Sequence, residues 1–157
     1  MQFPLKITVN GDVHELHVDA STSLLQFVRQ QLGLTGSKEG CEDSECGACM
    51  MLVDGRPINS CSYLALQANG RTVTTVEGLA VGADLHPLQR EFADLGGVQC
   101  GYCTSGMLIS ALALLKANPR PSDGEIRWAL SGNLCRCTGY SKIVEAVKAA
   151  ARDLDAS

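Results

Sequence analysis

The chain has 157 residues, 45% of them apolar, with eight cysteines and a formal net charge of −4 at pH 7. That length accommodates one domain or two small ones, and the ordinary apolar share excludes a disordered or fibrous chain. A net negative charge without any lysine or arginine run excludes a nucleic-acid surface, and no stretch reaches the ~20 apolar residues of a membrane span.

The start, Met1-Gln2-Phe3-Pro4-Leu5-Lys6, lacks the basic-then-apolar signature of a secretory signal. The expectation is a cytoplasmic chain whose thiols stay reduced and available to metals. Export inside a folded complex, on a partner's signal, is the alternative.

Leu5, Ile7 and Val9 alternate with Lys6 and Thr8, Asn10-Gly11 suits a type I′ turn, and residues 13–18 return as a second strand. His14 and His17 lie on that strand away from every cysteine, and they read as edge residues instead of ligands. Ser21-Thr22-Ser23 offers N-caps for a helix striped by Leu24, Leu25, Val28 and Leu32, and Gly33 stops it. A strand over 50–53 turns at Asp54-Gly55 and runs through Pro57 and Ile58 to Cys61, and a further strand over 72–76 closes this half. Two hairpins on one helix, with a cysteine loop between helix and strand, give the order of a β-grasp ferredoxin.

From Gly78 the pattern becomes helical. His86-Pro87 starts a helix to about residue 95, with proline in the first turn, where its missing N–H is harmless. Residues 107–115 are apolar nearly all round, the mark of a helix buried on most faces, and Asn118-Pro119-Arg120-Pro121 ends it. Ser122 with Glu125 forms a capping box for a third helix carrying Ile126, Ala129 and Leu130, and the lone Trp128 reads as a packing or interface residue. Ser141 caps a fourth helix with Ile143, Val144, Val147 and Ala150 turned inward. The expected class is α+β: a β-grasp ferredoxin-like domain over 1–77 and a four-helix bundle domain over 78–157.

The cysteines fall into two quartets. Cys41, Cys46, Cys49 and Cys61 open with C-x4-C-x2-C, the plant-type [2Fe–2S] spacing. Cys100 and Cys103 form a C-x2-C pair, answered much later by Cys135 and Cys137. Adjacent-but-one cysteines bridge poorly to each other, and about 5% cysteine lies below the ~8–10% of a disulfide scaffold. Zinc remains a rival, since four-cysteine zinc sites use C-x2-C pairs, although the first quartet lacks the second such pair that zinc usually wants. Two [2Fe–2S] clusters in one small chain, and therefore electron transfer, is the reading that uses all eight thiols.

A thiolate-bound cluster carries excess negative charge and needs N–H donors around it. Gly40, Gly47, Gly101, Gly106, Gly132 and Gly139 beside the ligands let the backbone curl close enough to supply them. Glu39, Glu42, Asp43 and Glu45 crowd the first loop and are tolerable only near water, where they lower the potential of the nearby cluster. The second quartet, set among apolar helices with Arg136 between two of its ligands, is expected to be the buried one.

Over nearly its whole length the sequence resembles the iron–sulfur subunit of the molybdenum hydroxylases, the group of xanthine dehydrogenase, aldehyde oxidases and carbon monoxide dehydrogenase. The resemblance rests on Gly40-Cys41-Glu42-Asp43-Ser44-Glu45-Cys46-Gly47-Ala48-Cys49, Gln99-Cys100-Gly101-Tyr102-Cys103 and Gly132-Asn133-Leu134-Cys135-Arg136-Cys137-Thr138-Gly139-Tyr140. It implies an electron-transfer subunit with no catalytic residue of its own. A large partner would carry molybdenum on molybdopterin and the substrate site, a medium partner would usually carry FAD, and this chain would carry the two [2Fe–2S] clusters. A dimer of heterotrimers is the implied assembly. By position, Cys100, Cys103, Cys135 and Cys137 would hold the cluster nearer the molybdenum, with Gln99 and Cys137 beside the molybdopterin. The family often has Phe at Tyr102, whose hydroxyl needs a partner if buried, and Pro at Ser105, whose hydroxyl is expected to cap a helix. A free-standing two-cluster ferredoxin-like carrier is the alternative function, and a zinc-binding interaction module is a third.

Overall fold

A computed structural model describes residues 1–156. The first hairpin forms as its alternation requires. Strands β1 (Gln2–Val9) and β2 (Asp12–Asp19) pair antiparallel from Gln2↔Asp19 to Val9↔Asp12, and the turn between them has φ of 52° at Asn10 and 95° at Gly11. Leu5, Ile7, Val9 and Val18 turn inward. Helix α1 (Leu24–Gln26) begins at a complete capping box, Ser23 with Gln26, and then widens into a π-helical stretch, Phe27–Gln31, that the sequence pattern did not announce.

Strands β3 (Met50–Val53) and β4 (Arg56–Asn59) make the second hairpin, and β5 (Thr72–Thr74) is shorter than its expected span. The sheet order is β2-β1-β5-β3-β4, with β5 parallel to β1 and antiparallel to β3. A second hairpin on a first, with a helix across one face, makes this half ferredoxin-like.

Four of the five α-helices follow: α2 (Pro87–Asp94), α3 (Thr104–Ala117), α4 (Asp123–Ala129) and α5 (Ser141–Asp155). His86 caps α2, accepting the Leu88 N–H on Nδ1 at 3.2 Å, and Ser122 with Glu125 caps α4. The expected cap of α5 is displaced. Ser141 is its first residue, and the N-cap position belongs to Tyr140, left-handed at φ 69° with no side-chain cap. Tyr140 is held there by its hydroxyl, which accepts the Cys135 N–H at 2.8 Å. Ser105 likewise caps nothing; it lies within the first turn of α3, and its hydroxyl donates to the Ala48 carbonyl at 3.5 Å.

The halves are two cores sharing a strand. On β3 the twofold alternation sends Met51 and Val53 into the sheet core with Leu5, Ile7, Phe27 and Val73. Leu52 goes the other way, into the helical core with Phe92, Met107, Ile109, Ile126 and Ile143. A strand that is apolar on both faces is buried on both, so α3 packs directly on β3. The residue count at which the pattern turns helical therefore marks a change of architecture without a gap between the halves. Among the described residues, no helix is long and apolar enough to cross a membrane.

Candidate metal centres

The first quartet is built by a loop that curls around one sulfur. Glu42 and Ser44 take positive φ, 57° and 59°, and the alternation of handedness turns successive N–H groups inward. The N–H groups of Asp43, Glu45 and Cys46 reach Cys41 Sγ at 3.4, 3.3 and 3.4 Å. Those backbone donors hold the Cys41 thiol down at about 7. Cys49, at the mouth of β3, is the buried member, and burial pushes its thiol up to about 11. Its carbonyl accepts the Ser60 hydroxyl at 2.6 Å, and Asn59 Nδ2 ties the loop at the Ser44 carbonyl at 3.0 Å. Glu39, Glu42, Asp43 and Glu45 are all exposed, as their crowding demanded.

The second quartet comes from helix ends. Cys100 and Cys103 precede α3, and Cys135 and Cys137 lie between α4 and α5. Burial pushes Cys103 up to about 12. Burial acts the same way on Cys135, but the hydroxyl and N–H of Thr138 overcome it and bring that thiol down to about 7. Thr138 Oγ1 lies 3.1 Å and its N 3.4 Å from Cys135 Sγ.

The expected wet–dry contrast does not hold within the chain. Cys100 and Cys137 are exposed and Cys103 and Cys135 half-buried, whereas the first quartet contains the one buried ligand candidate, Cys49. The apolar helices flank the second quartet but present it at their ends, so its outer edge faces out of the molecule. Gln99 is exposed on the same edge, and no hydrogen bond ties its amide to any described residue. Arg136, between Cys135 and Cys137, is exposed as well.

Within each quartet the thiols act on one another electrostatically: Cys46 on Cys41, Cys61 and Cys46 on Cys49, Cys135 and Cys100 on Cys103, and Cys100 and Cys135 on Cys137. Among the described residues, no three or more Cys, His, Asp or Glu side chains close around a point that would hold a single ion. Four thiolates around one tetrahedral zinc would require that closure. A quartet without that closure suits the wider, sulfide-bridged diiron unit of [2Fe–2S] instead. All three histidines stand apart from these groups, on β2 and at the cap of α2.

The quartets face each other across a cavity of about 280 Å³ lined by Cys41 and Cys46 of the first and all four cysteines of the second. The surrounding contacts stitch loop to helices. Leu134 N–H donates to the Cys46 carbonyl at 2.9 Å. Asn133, 2% exposed, donates to the Gly47 carbonyl at 3.2 Å and accepts the Ser110 hydroxyl at 2.7 Å. Tyr102, between two candidate ligands, is exposed rather than buried, and its hydroxyl donates to the Glu39 carbonyl at 2.5 Å. Gly47 and Gly106 permit the approach: a Cβ on Gly106 would stand 2.1 Å from the Gly47 carbonyl oxygen, and one on Gly47 would stand 2.4 Å from that of Gly132. Asn133 and Thr138 entered the sequence reading only as members of a motif, without these contacts, and Ser110 not at all. Only Thr138 left a local signal, a hydroxyl three residues after a cysteine, where side-chain hydroxyls reach back along the chain.

Comparison with known proteins bears directly on this arrangement. Residues 7–79 match a 2Fe-2S iron–sulfur cluster binding domain and residues 75–148 a second, [2Fe-2S] binding domain. The nicotinate dehydrogenase small FeS subunit of Eubacterium barkeri is 47% identical over 144 residues, 92% of each chain. The nicotine 6-hydroxylase small subunit of Paenarthrobacter nicotinovorans is 51% identical over 143 residues, 91% of this chain and 86% of that one.

The chain belongs to the iron–sulfur small subunits of the molybdenum hydroxylases.

Solved members of the group superpose over the full length. Quinoline 2-oxidoreductase from Pseudomonas putida 86 gives a TM-score of 0.95 at 43% identity, over 99% of this chain and 98% of that one. Aldehyde oxidoreductase from Desulfovibrio gigas gives 0.94 at 43% identity, over 98% of this chain but 17% of that one. The same unit thus occurs in this family both as a chain of its own and as a segment of a longer polypeptide. Its members are parts of oxidoreductases, and the two [2Fe–2S] domains make this chain an electron-transfer component of such an enzyme.

Proposed function

We propose that this chain passes single electrons from a molybdenum–molybdopterin site on a large partner subunit to FAD on a medium partner subunit. The observation that carries the proposal is the gathering of six of the eight cysteines, two of the first quartet and all four of the second, around one cavity. In this reading Cys41 with Cys46 and Cys49 with Cys61 hold the two irons of an outer unit. Cys103 with Cys135 and Cys100 with Cys137 hold those of an inner one. When bound, the two clusters supply one-electron redox chemistry.

The chain's own residues fix the sulfurs, aim N–H and O–H groups at them, and keep the two quartets adjacent. The Leu134–Cys46 hydrogen bond leaves the backbone of an outer ligand one residue from the inner ligand Cys135. Gln99, Cys100 and Cys137 form the edge that the molybdopterin would approach. Two exposed thiols there favour a subunit whose partner covers them over a free-standing carrier, which would leave its inner cluster open to solvent. The wider assignment is a ferredoxin-like domain over 1–77, a four-helix bundle domain over 78–157, a dimer of heterotrimers, and a cytoplasmic location that keeps the thiols reduced for loading.

Purifying the chain with its natural partners, then measuring paramagnetic resonance, metals and flavin, tests this directly. Two distinguishable [2Fe–2S] signals per chain, with molybdenum and FAD on co-purifying subunits, are expected. One signal per chain, or zinc without iron, overturns the four-and-four assignment, and a stable monomer holding both clusters selects the carrier.

A further inference from the structure

The segment after Cys137 folds back on the sulfur of Cys135 in a closed ring of hydrogen bonds. Cys135 N–H donates to the Tyr140 hydroxyl at 2.8 Å, Tyr140 N–H donates to Thr138 Oγ1 at 3.3 Å, and the Thr138 hydroxyl donates to Cys135 Sγ at 3.1 Å. Because Thr138 Oγ1 already accepts from Tyr140, its orientation is fixed and its proton is left for the sulfur. Tyr140 sustains a left-handed backbone, φ 69°, at a position where a non-glycine residue is disfavoured. The outer quartet's counterpart is longer: Cys41 receives backbone N–H groups, and the Ser44 hydroxyl stands 3.9 Å from Cys61 Sγ, against 3.1 Å for Thr138.

We propose that Thr138 is a positioning residue that sets the reduction potential of the inner centre through its O–H···S hydrogen bond to Cys135. The inference rests on the relay function and on Cys135 being a ligand. One electron arriving at the inner centre adds one negative charge to the sulfur cage, and the same electron then leaves toward the outer centre. A donor aimed at a sulfur stabilises the more negative, reduced form over the oxidised one, because hydrogen bonds to charged acceptors are the stronger ones. No proton is transferred and no bond breaks; the Thr138 hydroxyl keeps its hydrogen in both states. Loss of the hydroxyl therefore makes the inner centre harder to reduce and leaves the outer centre as it was.

The test is a redox titration of the purified holoenzyme followed by paramagnetic resonance. Thr138→Val is nearly isosteric and lacks the donor. At a fixed ambient potential it is expected to lower the inner centre's reduced-to-oxidised ratio about tenfold, equivalent to about 59 mV for one electron. The outer centre's titration should not move. Thr138→Ser keeps a hydroxyl and should restore the wild-type value, a rescue that simple packing would not give. Thr138→Ala provides a second hydroxyl-free variant should valine hinder loading. An unmoved inner potential, equal shifts in both centres, or loss of the inner cluster from both hydroxyl-free variants would each overturn the tuning role. Fewer than two signals in the wild-type enzyme would instead remove the relay reading, and this inference with it.

Discussion

In the first cysteine quartet the close donors to sulfur are backbone N–H groups of a loop that alternates in handedness, with one hydroxyl, Ser44, at 3.9 Å; in the second a side-chain hydroxyl held by a tyrosine comes to 3.1 Å. The first is anchored at a strand and has a buried member, and the second is strung between helix ends with two members exposed. The difference teaches that a loop can cage a metal centre largely by itself, whereas helix ends leave one side to be closed by another surface. One consequence is that substitutions in the first site act through backbone shape and in the second through individual side chains.

The largest effect is expected at a ligand. Cys100→Ser is expected to remove or alter the inner centre and stop turnover of the holoenzyme while the outer centre's signal persists; normal turnover would show that electrons bypass this quartet. The seam between the quartets should respond next. Gly106→Ala drives a methyl against the Gly47 carbonyl, and overpacking of this kind costs about 1–3 kcal/mol. A lowered thermal midpoint, with the outer signal broadened more than the inner, is the expected result, read by calorimetry and resonance.

Asn133→Ala removes the partner of the buried Ser110 hydroxyl and one of two donors to the Gly47 carbonyl, which keeps the Met50 N–H. Unsatisfied buried groups cost about 1–3 kcal/mol, which denaturant unfolding of the holo complex measures. Tyr102→Phe sharpens the comparison at its mildest. It deletes one hydrogen bond from the second quartet's loop to the first, for about 0.5–1.5 kcal/mol, with both clusters retained. Gly124→Ala, where the structure leaves open space and no positive φ, serves as the matched control. It should be neutral or stabilising by up to about 1 kcal/mol.

Much of this was legible in the sequence because the signals were local. Asn10-Gly11, the Ser21-Thr22-Ser23 run, His86-Pro87 and Ser122 with Glu125 each encode a turn or cap within four residues; each forms, with Ser23 the member of its run that caps. Cysteine spacing divided the eight thiols into two sets, and six of the eight line one cavity. What escaped depends on partners far along the chain. Ser141 lost its capping role because Tyr140 is held by Cys135, and Ser105 lost its own because Ala48 lies across the seam. The expected burial of the second quartet was inferred from apolar neighbours in sequence, and those neighbours fill the helical core without covering the helix ends.

The two-faced strand β3 also orders events during synthesis. When the first hairpins leave the ribosome, Leu52 has no helix to meet, and Gly47 has neither Gly106 nor Asn133 to rest on. The outer loop gains its final support only once α3 and the segment after α4 have emerged. The amino-terminal half is thus made first and finished last, which ties the maturation of both centres to completion of the whole polypeptide.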